Sequence, residues 1–159
     1  MSKSDWVSTN PAGEDRGSIF VPQGKVISGI EVREAAGYGI IDLRLSYRDF
    51  NSGDAGETGW LTNNENVKWV RQDDVSEQEI VIGIRTKEQA GHGIIDMRLV
   101  YKNARNGTKS YGKWLTDNKE QAMENEVTIS EGYVTGEANS HLLLDHILLS
   151  PSLSTNNGL

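Results

Sequence analysis

The chain has 159 residues, no cysteine, and 23 acidic against 16 basic side chains, for a net charge of −7. These figures exclude disulfides, thiolate chemistry and cysteine-held metals, and they argue against binding nucleic acid through bulk charge. No apolar h-region opens the chain and no run approaches the ~18 apolar residues of a membrane span, so the expectation is a protein that is cytoplasmic as synthesised or released by a non-classical route.

Taken in order, the chain begins with a tryptophan segment, WVSTN at Trp6, and a short strand is predicted near residues 18–21. Two-residue alternation follows. Val26, Ser28, Ile30 and Val32 oppose Ile27, Gly29, Glu31 and Arg33. A loop, Ala35-Ala36-Gly37-Tyr38-Gly39, offers two glycines for a hairpin tip that needs positive φ. On the return, Ile41, Leu43, Leu45 and Tyr47 oppose Ile40, Asp42, Arg44 and Ser46. A turn at 51–54 leads to a second tryptophan segment, WLTNN at Trp60, predicted as a strand. The same elements then recur: a short strand at 67–71, a strand with Ile80, Ile82 and Ile84 on one face, and a return strand with Ile95, Met97, Leu99 and Tyr101 on one face. A third tryptophan segment, WLTDN at Trp114, precedes residues 117–125, the one helix candidate.

The recurrence has a fixed step. Trp6, Trp60 and Trp114 lie 54 residues apart, as do Asn10, Asn64 and Asn118. Residues 29–47 match 83–101 without a gap, and 132–150 is a worn third copy that comes five residues early. One folding unit used three times is implied. Units this small cannot each bury a face alone, so one shared interior is expected. The predicted fold is all-β, a β-prism of three four-stranded antiparallel repeats with pseudo-threefold symmetry. A β-trefoil is the alternative and a two-sheet sandwich the third choice. The expected domain spans 1–152, with repeats at 5–58, 59–112 and 113–151 and a flexible tail at 153–159.

This order of tryptophan strand, variable stretch, Gly-Ile strand at Gly29 and Gly83, Gly-x-Gly tip and Arg-Leu return at Arg44 and Arg98 resembles the vitelline membrane outer layer protein family, a threefold β-prism. It is also similar to the C-terminal β-prism domains of bacterial membrane-attack-complex/perforin-like toxins. The resemblance departs from the vitelline family in having no cysteine, and in showing Ile-Ile-Asp where that family has an acidic-plus-Asn motif. It implies recognition of a surface or a glycan and carries over no catalytic residue.

The candidate binding residues gather at the hairpin tips. Tyr38, His92 and His141 occupy equivalent positions, able both to stack and to hydrogen-bond. Gly39 and Gly93 allow close approach to backbone. Glu34, Glu88 and Glu137 stand before the tips, and Asp42, Asp96 and Asp145 after them. Such carboxylates accept hydrogen bonds from vicinal sugar hydroxyls, and calcium at Glu34 and Asp42 is a secondary reading. Their alternative role is to tie down loop N–H groups or pair with Arg33, Arg44, Lys87 or Arg98. The repeated tryptophans are expected to be core, whereas Trp69, which has no counterpart in the repeat, is a ligand candidate. His141, Asp145 and His146 do not converge as zinc ligands, because neighbouring strand residues face opposite ways. No nucleophile–base set is present, so no enzyme is expected. The function read from the sequence is lectin-like binding of carbohydrate or a cell-surface glycoconjugate, with no cofactor. The alternatives are a membrane-docking domain of a pore-forming or secreted assembly, or a structural coat protein. A membrane surface and a homo-oligomer are compatible partners.

Overall fold

The computed structural model describes residues 18–22, 24–35, 39–49, 51–62, 64–65, 67–90, 93–118, 122–129, 133–134, 137–139 and 151–152. All the regular structure among them is β-strand. The first is β1 (Ser18–Phe20), followed by the long hairpin β2 (Lys25–Ala35) and β3 (Gly39–Asp49). Short β4 (Ala55–Glu57) and β5 (Trp69–Asp74) precede a second long hairpin, β6 (Glu79–Gln89) and β7 (Gly93–Asn103). Then come β8 (Lys109–Tyr111), β9 (Met123–Thr128), β10 (Tyr133–Val134), β11 (Glu137–Asn139) and β12 (Pro151–Ser152). Two antiparallel four-stranded sheets result, ordered β4-β3-β2-β5 and β8-β7-β6-β9. Two short pairs, β1-β11 and β10-β12, accompany them.

The outer strand of each sheet is handed on by the following stretch of sequence. β5 pairs with β2, placing Trp69 opposite Glu34, although it lies in the second repeat. β9 pairs with β6 in the same way, placing Met123 opposite Glu88. The segments that begin at Trp60 and Trp114 are not strands, contrary to expectation. Leu61 and Leu115 each donate one backbone hydrogen bond, to the carbonyls of Leu43 and Met97, and the fourth strand of each sheet is the short β4 or β8. The helix expected over 117–125 is also corrected, since its described C-terminal part, from Met123, runs into β9. Six extended residues there pair with β6, so sheet hydrogen bonds override the local helix pattern.

One core lies between the sheets. Ile27, Ile30, Val32, Ile40, Leu43 and Leu45 of the first sheet join Val81, Ile84, Ile94, Met97, Leu99 and Tyr101 of the second, with Ile19, Val21, Val75 and Leu115 completing it. The expected faces shift at two bulges in each hairpin. The register slips between Ile27 and Gly29 and again between Arg33 and Glu34. It slips at the matching places between Val81 and Gly83 and between Lys87 and Glu88. An extra residue reverses which side the following residues face. Ile27 therefore joins Ile30 in the core and Ile40 replaces Ile41, while Val81 and Ile94 take the places expected of Ile82 and Ile95. At Gly83 an added Cβ would overlap the Val127 carbonyl oxygen and stand 2.6 Å from Thr128 Cγ2, so the bulge is also where β9 comes closest.

Candidate functional site

The return strands of the two long hairpins begin close together. Gly39 and Gly93 begin β3 and β7 with φ of +72°, a conformation glycine adopts without strain. A Cβ on Gly39 would lie 2.8 Å from Ile95 Cα, so the start of the first return strand packs directly on that of the second. Tyr38, His92, His141 and Asp145 lie outside the described residues, as does Trp6.

Asp42 and Asp96 are fully buried. Asp42 Oδ1 accepts the amides of Leu43 and Thr62, both at 2.9 Å, and Oδ2 accepts that of Asn64 at 3.0 Å. Arg33 stands 3.5 Å from the same carboxylate and donates to the Asn64 carbonyl at 2.9 Å. Asp96 Oδ1 accepts the amides of Met97 and Thr116, both at 2.8 Å, with Lys87 at 3.6 Å from Oδ2. Oδ2 itself makes no hydrogen bond, and burial raises the Asp96 carboxyl above its ordinary range. Each aspartate thus clasps the tryptophan loop to its hairpin. A cation would meet N–H donors at Asp42 in place of open oxygens. No cluster of three metal-ligating side chains occurs among the described residues.

Trp60 and Trp114 sit outside the core, against expectation. Trp60 and Trp114 are half-buried on the outer sheet faces. Arg33 and Arg44 lie 4.0 and 4.9 Å from the centre of the Trp60 ring. Lys87 and Arg98 lie 4.2 and 4.4 Å from that of Trp114. The aspartate clasp, the basic residue paired with it and the tryptophan under that residue make one unit, built twice.

Glu34 and Glu88 serve the other side of their strands. Glu34 meets Arg71 at 3.4 Å, and Arg71 reaches on to Asp117 at 3.0 Å. Burial raises the Glu34 carboxyl, and Arg71 opposes that shift. Glu88 accepts from the Asn125 side-chain amide at 3.0 Å. Glu34 and Asp42 therefore do not share a pocket, because adjacent Arg33 and Glu34 face opposite ways and each acid follows a different partner. Beside Arg71 stands Trp69, a residue 39% exposed, with Lys68 at 4.5 Å from the ring centroid. Asp117 is 85% exposed. An open indole, a fixed guanidinium and two carboxylates thus gather at the edge of the first hairpin. Sequence reasoning singled out Trp69 and Glu34 but missed Arg71 and Asp117. The available signal was the i, i+2 spacing of Trp69 and Arg71 on one strand face.

No protein-family model and no curated protein sequence matches the chain. Solved structures do. The Calsepa lectin in complex with a bisected glycan is similar at 14% identity, TM-score 0.63, over 96% of this chain and 97% of that one. A mannose-binding jacalin-related lectin from Ananas comosus is similar at 16% identity, TM-score 0.58, over 95% and 98%. A mannose-specific jacalin-related lectin from Morus nigra, in complex with mannose, is similar at 16% identity, TM-score 0.53, over 92% and 98%. The resemblance to the vitelline and perforin-like families thus has no family match behind it, while its coarser content, an all-β prism, stands. The chain has the β-prism fold seen in jacalin-related lectins.

Proposed function

We propose that the protein is a non-enzymatic, lectin-like module that binds carbohydrate or glycoconjugate at the hairpin-tip end. The observation that carries this reading is the open Trp69 ring beside the Glu34–Arg71–Asp117 chain of ion pairs. A pyranose has an apolar C–H face for an aromatic ring and a hydroxyl edge for charged acceptors and donors. Arg71 holds Glu34 and Asp117 in place before a ligand arrives, which lowers the ordering cost of binding. Tyr38 and His92, with Gly39 and Gly93 beside them in sequence, are read as further ligand contacts, with Glu34 and Glu88 as acceptors and Asp42 and Asp96 as braces. His141 and Asp145, the equivalent residues of the third sequence copy, are read as a further contact set. Several weak sites on one body bind a branched glycan more tightly than any one alone. Solved structures of the same fold held with a bisected glycan and with mannose support the ligand class.

The test is a glycan array with and without a calcium chelator, on wild type, Trp69→Ala and the Tyr38→Ala/His92→Ala pair. Saturable binding to a defined glycan set is expected, insensitive to the chelator. Both variants should weaken it at an unchanged thermal midpoint. Undiminished binding by both variants removes the hairpin end from recognition, and a silent array removes the glycan.

A further inference from the structure

A second open space lies away from Trp69. It is a cleft of about 310 Å³ lined by Ile19 of β1, Tyr47 of β3, Glu57 of β4, and Thr58, Trp60 and Leu61 of the loop that follows. One repeat step of 54 residues onward, the corresponding place is closed. There Tyr101 donates its hydroxyl to Asp73, and Gly112 has no room for a Cβ, because Asp73 Oδ2 and the Tyr101 hydroxyl would meet it. The step places Ile19 where Asp73 stands, Tyr47 where Tyr101 stands and Thr58 where Gly112 stands. Isoleucine cannot take the tyrosine hydroxyl, and threonine fits where a glycine was required. The chain fills one groove with its own side chains and leaves the other open.

The walls of the open groove are fixed. Arg44 is held between Glu31 at 2.9 Å and Glu57 at 2.7 Å, and with Arg33 it sits against the Trp60 ring. Glu57 nevertheless remains 52% exposed. Thr58 Oγ1 accepts the Leu45 amide at 2.9 Å and donates to the Gly59 carbonyl at 3.1 Å, which anchors the loop. The lining combines apolar Ile19 and Leu61, aromatic Tyr47 and Trp60, and one accessible carboxylate, Glu57.

We infer that this cleft is a second binding site, for a single pyranose ring, with Tyr47 and Trp60 against the C–H face and Glu57 accepting from the hydroxyl edge. Its volume stands at the small end of the ~300–1,000 Å³ of ligand pockets, which suits one ring. The compensated charge of Glu57, paired with Arg44, favours a neutral polyol over an organic cation. The site is independent of the hairpin end.

The four tryptophans give four indole N–H signals, assignable by single Trp→Phe variants. Titration uses methyl α-mannopyranoside, methyl β-galactopyranoside and N-acetylglucosamine as probes, each to roughly 50 mM, enough to reveal millimolar binding. The Trp60 signal should move saturably with at least one sugar, and should do so equally in Trp69→Ala. Glu57→Gln, at an exposed position, should weaken that response about tenfold or more while leaving the Trp69 response unchanged. Ile19→Asp with Thr58→Gly, which copies the closed groove, should abolish it; should that pair fail to fold, Glu57→Gln alone decides. A Trp60 signal unmoved by all three sugars, or an unchanged midpoint in Glu57→Gln, overturns the inference. Movement of Trp60 with Trp69 silent sustains it and removes the hairpin-end site.

Discussion

Asp42 and Asp96 occupy the same place in two copies but differ in one hydrogen bond. Asp42 uses both oxygens, taking the Asn64 amide on Oδ2, whereas Asp96 Oδ2 has only Lys87 at 3.6 Å. Asp42→Asn would set an NH₂ group against a buried N–H and should cost about 2 kcal/mol. Asp96→Asn can keep its two amide bonds through the remaining oxygen and sheds a buried charge, so its cost should stay under about 1 kcal/mol. Urea midpoints of the two variants check the order. The pH dependence follows in sign. The Asp96 carboxyl is raised by burial, so its charged form disfavours folding at neutral pH. That contribution fades as the pH falls through the folded value toward the unfolded one near ~3.9. Wild type should therefore gain on Asp96→Asn between pH 7 and pH 4, read as the difference in their urea midpoints. The sequence offered four bases for these acids, Arg33, Arg44, Lys87 and Arg98, of which Arg33 and Lys87 are the partners. The placing of Trp60 and Trp114 outside the core was not legible there. A repeat shows that a ring recurs, while the side of the sheet it lies on depends on the cations that flank it in space.

At the scale of the element, the strands were legible and their faces only partly so. Alternation marks a strand, but a single extra residue inverts everything beyond it. Gly29 and Gly83, each just past a bulge, were the available marks, since glycine inside a strand often signals one. The turns after the two long hairpins differ in a way that pH can read. Asp49 Oδ1 accepts the amides of Asn51 and Ser52, at 2.8 and 2.9 Å. In the second turn the neutral Asn103 Oδ1 accepts those of Arg105 and Asn106, at 2.9 and 3.2 Å. The amides of Ser52 and Asn51, with Lys25, hold the Asp49 carboxyl down at about 2. Its stabilising contribution is present above the unfolded value near ~3.9 and is lost as the pH falls through about 2. The Asn51 and Ser52 amide resonances should titrate with that midpoint, and those of Arg105 and Asn106 should stay flat. Equal behaviour in both turns would dismiss the assignment.

Across the whole molecule, the two sheets contribute to one interior and exchange strands along the sequence, so they should unfold together. Leu43 is 1% exposed within that interior. Leu43→Ala should cost about 2–5 kcal/mol and move a single transition, seen at the same midpoint by near-UV and far-UV circular dichroism. Two separated transitions would mean that the sheets are independent. The 54-residue step made a shared core legible, because no copy is long enough to stand alone. It did not show that β5 and β9 complete the preceding sheet, since a sequence repeat has no fixed starting point and its boundaries can be drawn on either side of a strand.

That strand handover sets the order in which a growing chain can be satisfied during synthesis. The first sheet waits for Asp74 to leave the ribosome and the second waits for Thr128, because β5 and β9 are their last members. β1, made before either sheet, pairs with Glu137–Asn139 and so waits for its partner until both sheets have been made. Through most of translation it is an open edge of the kind that recruits foreign strands. A nascent chain stalled after the second sheet would therefore carry two finished sheets and one unclaimed strand, and quality control would meet this fold at β1.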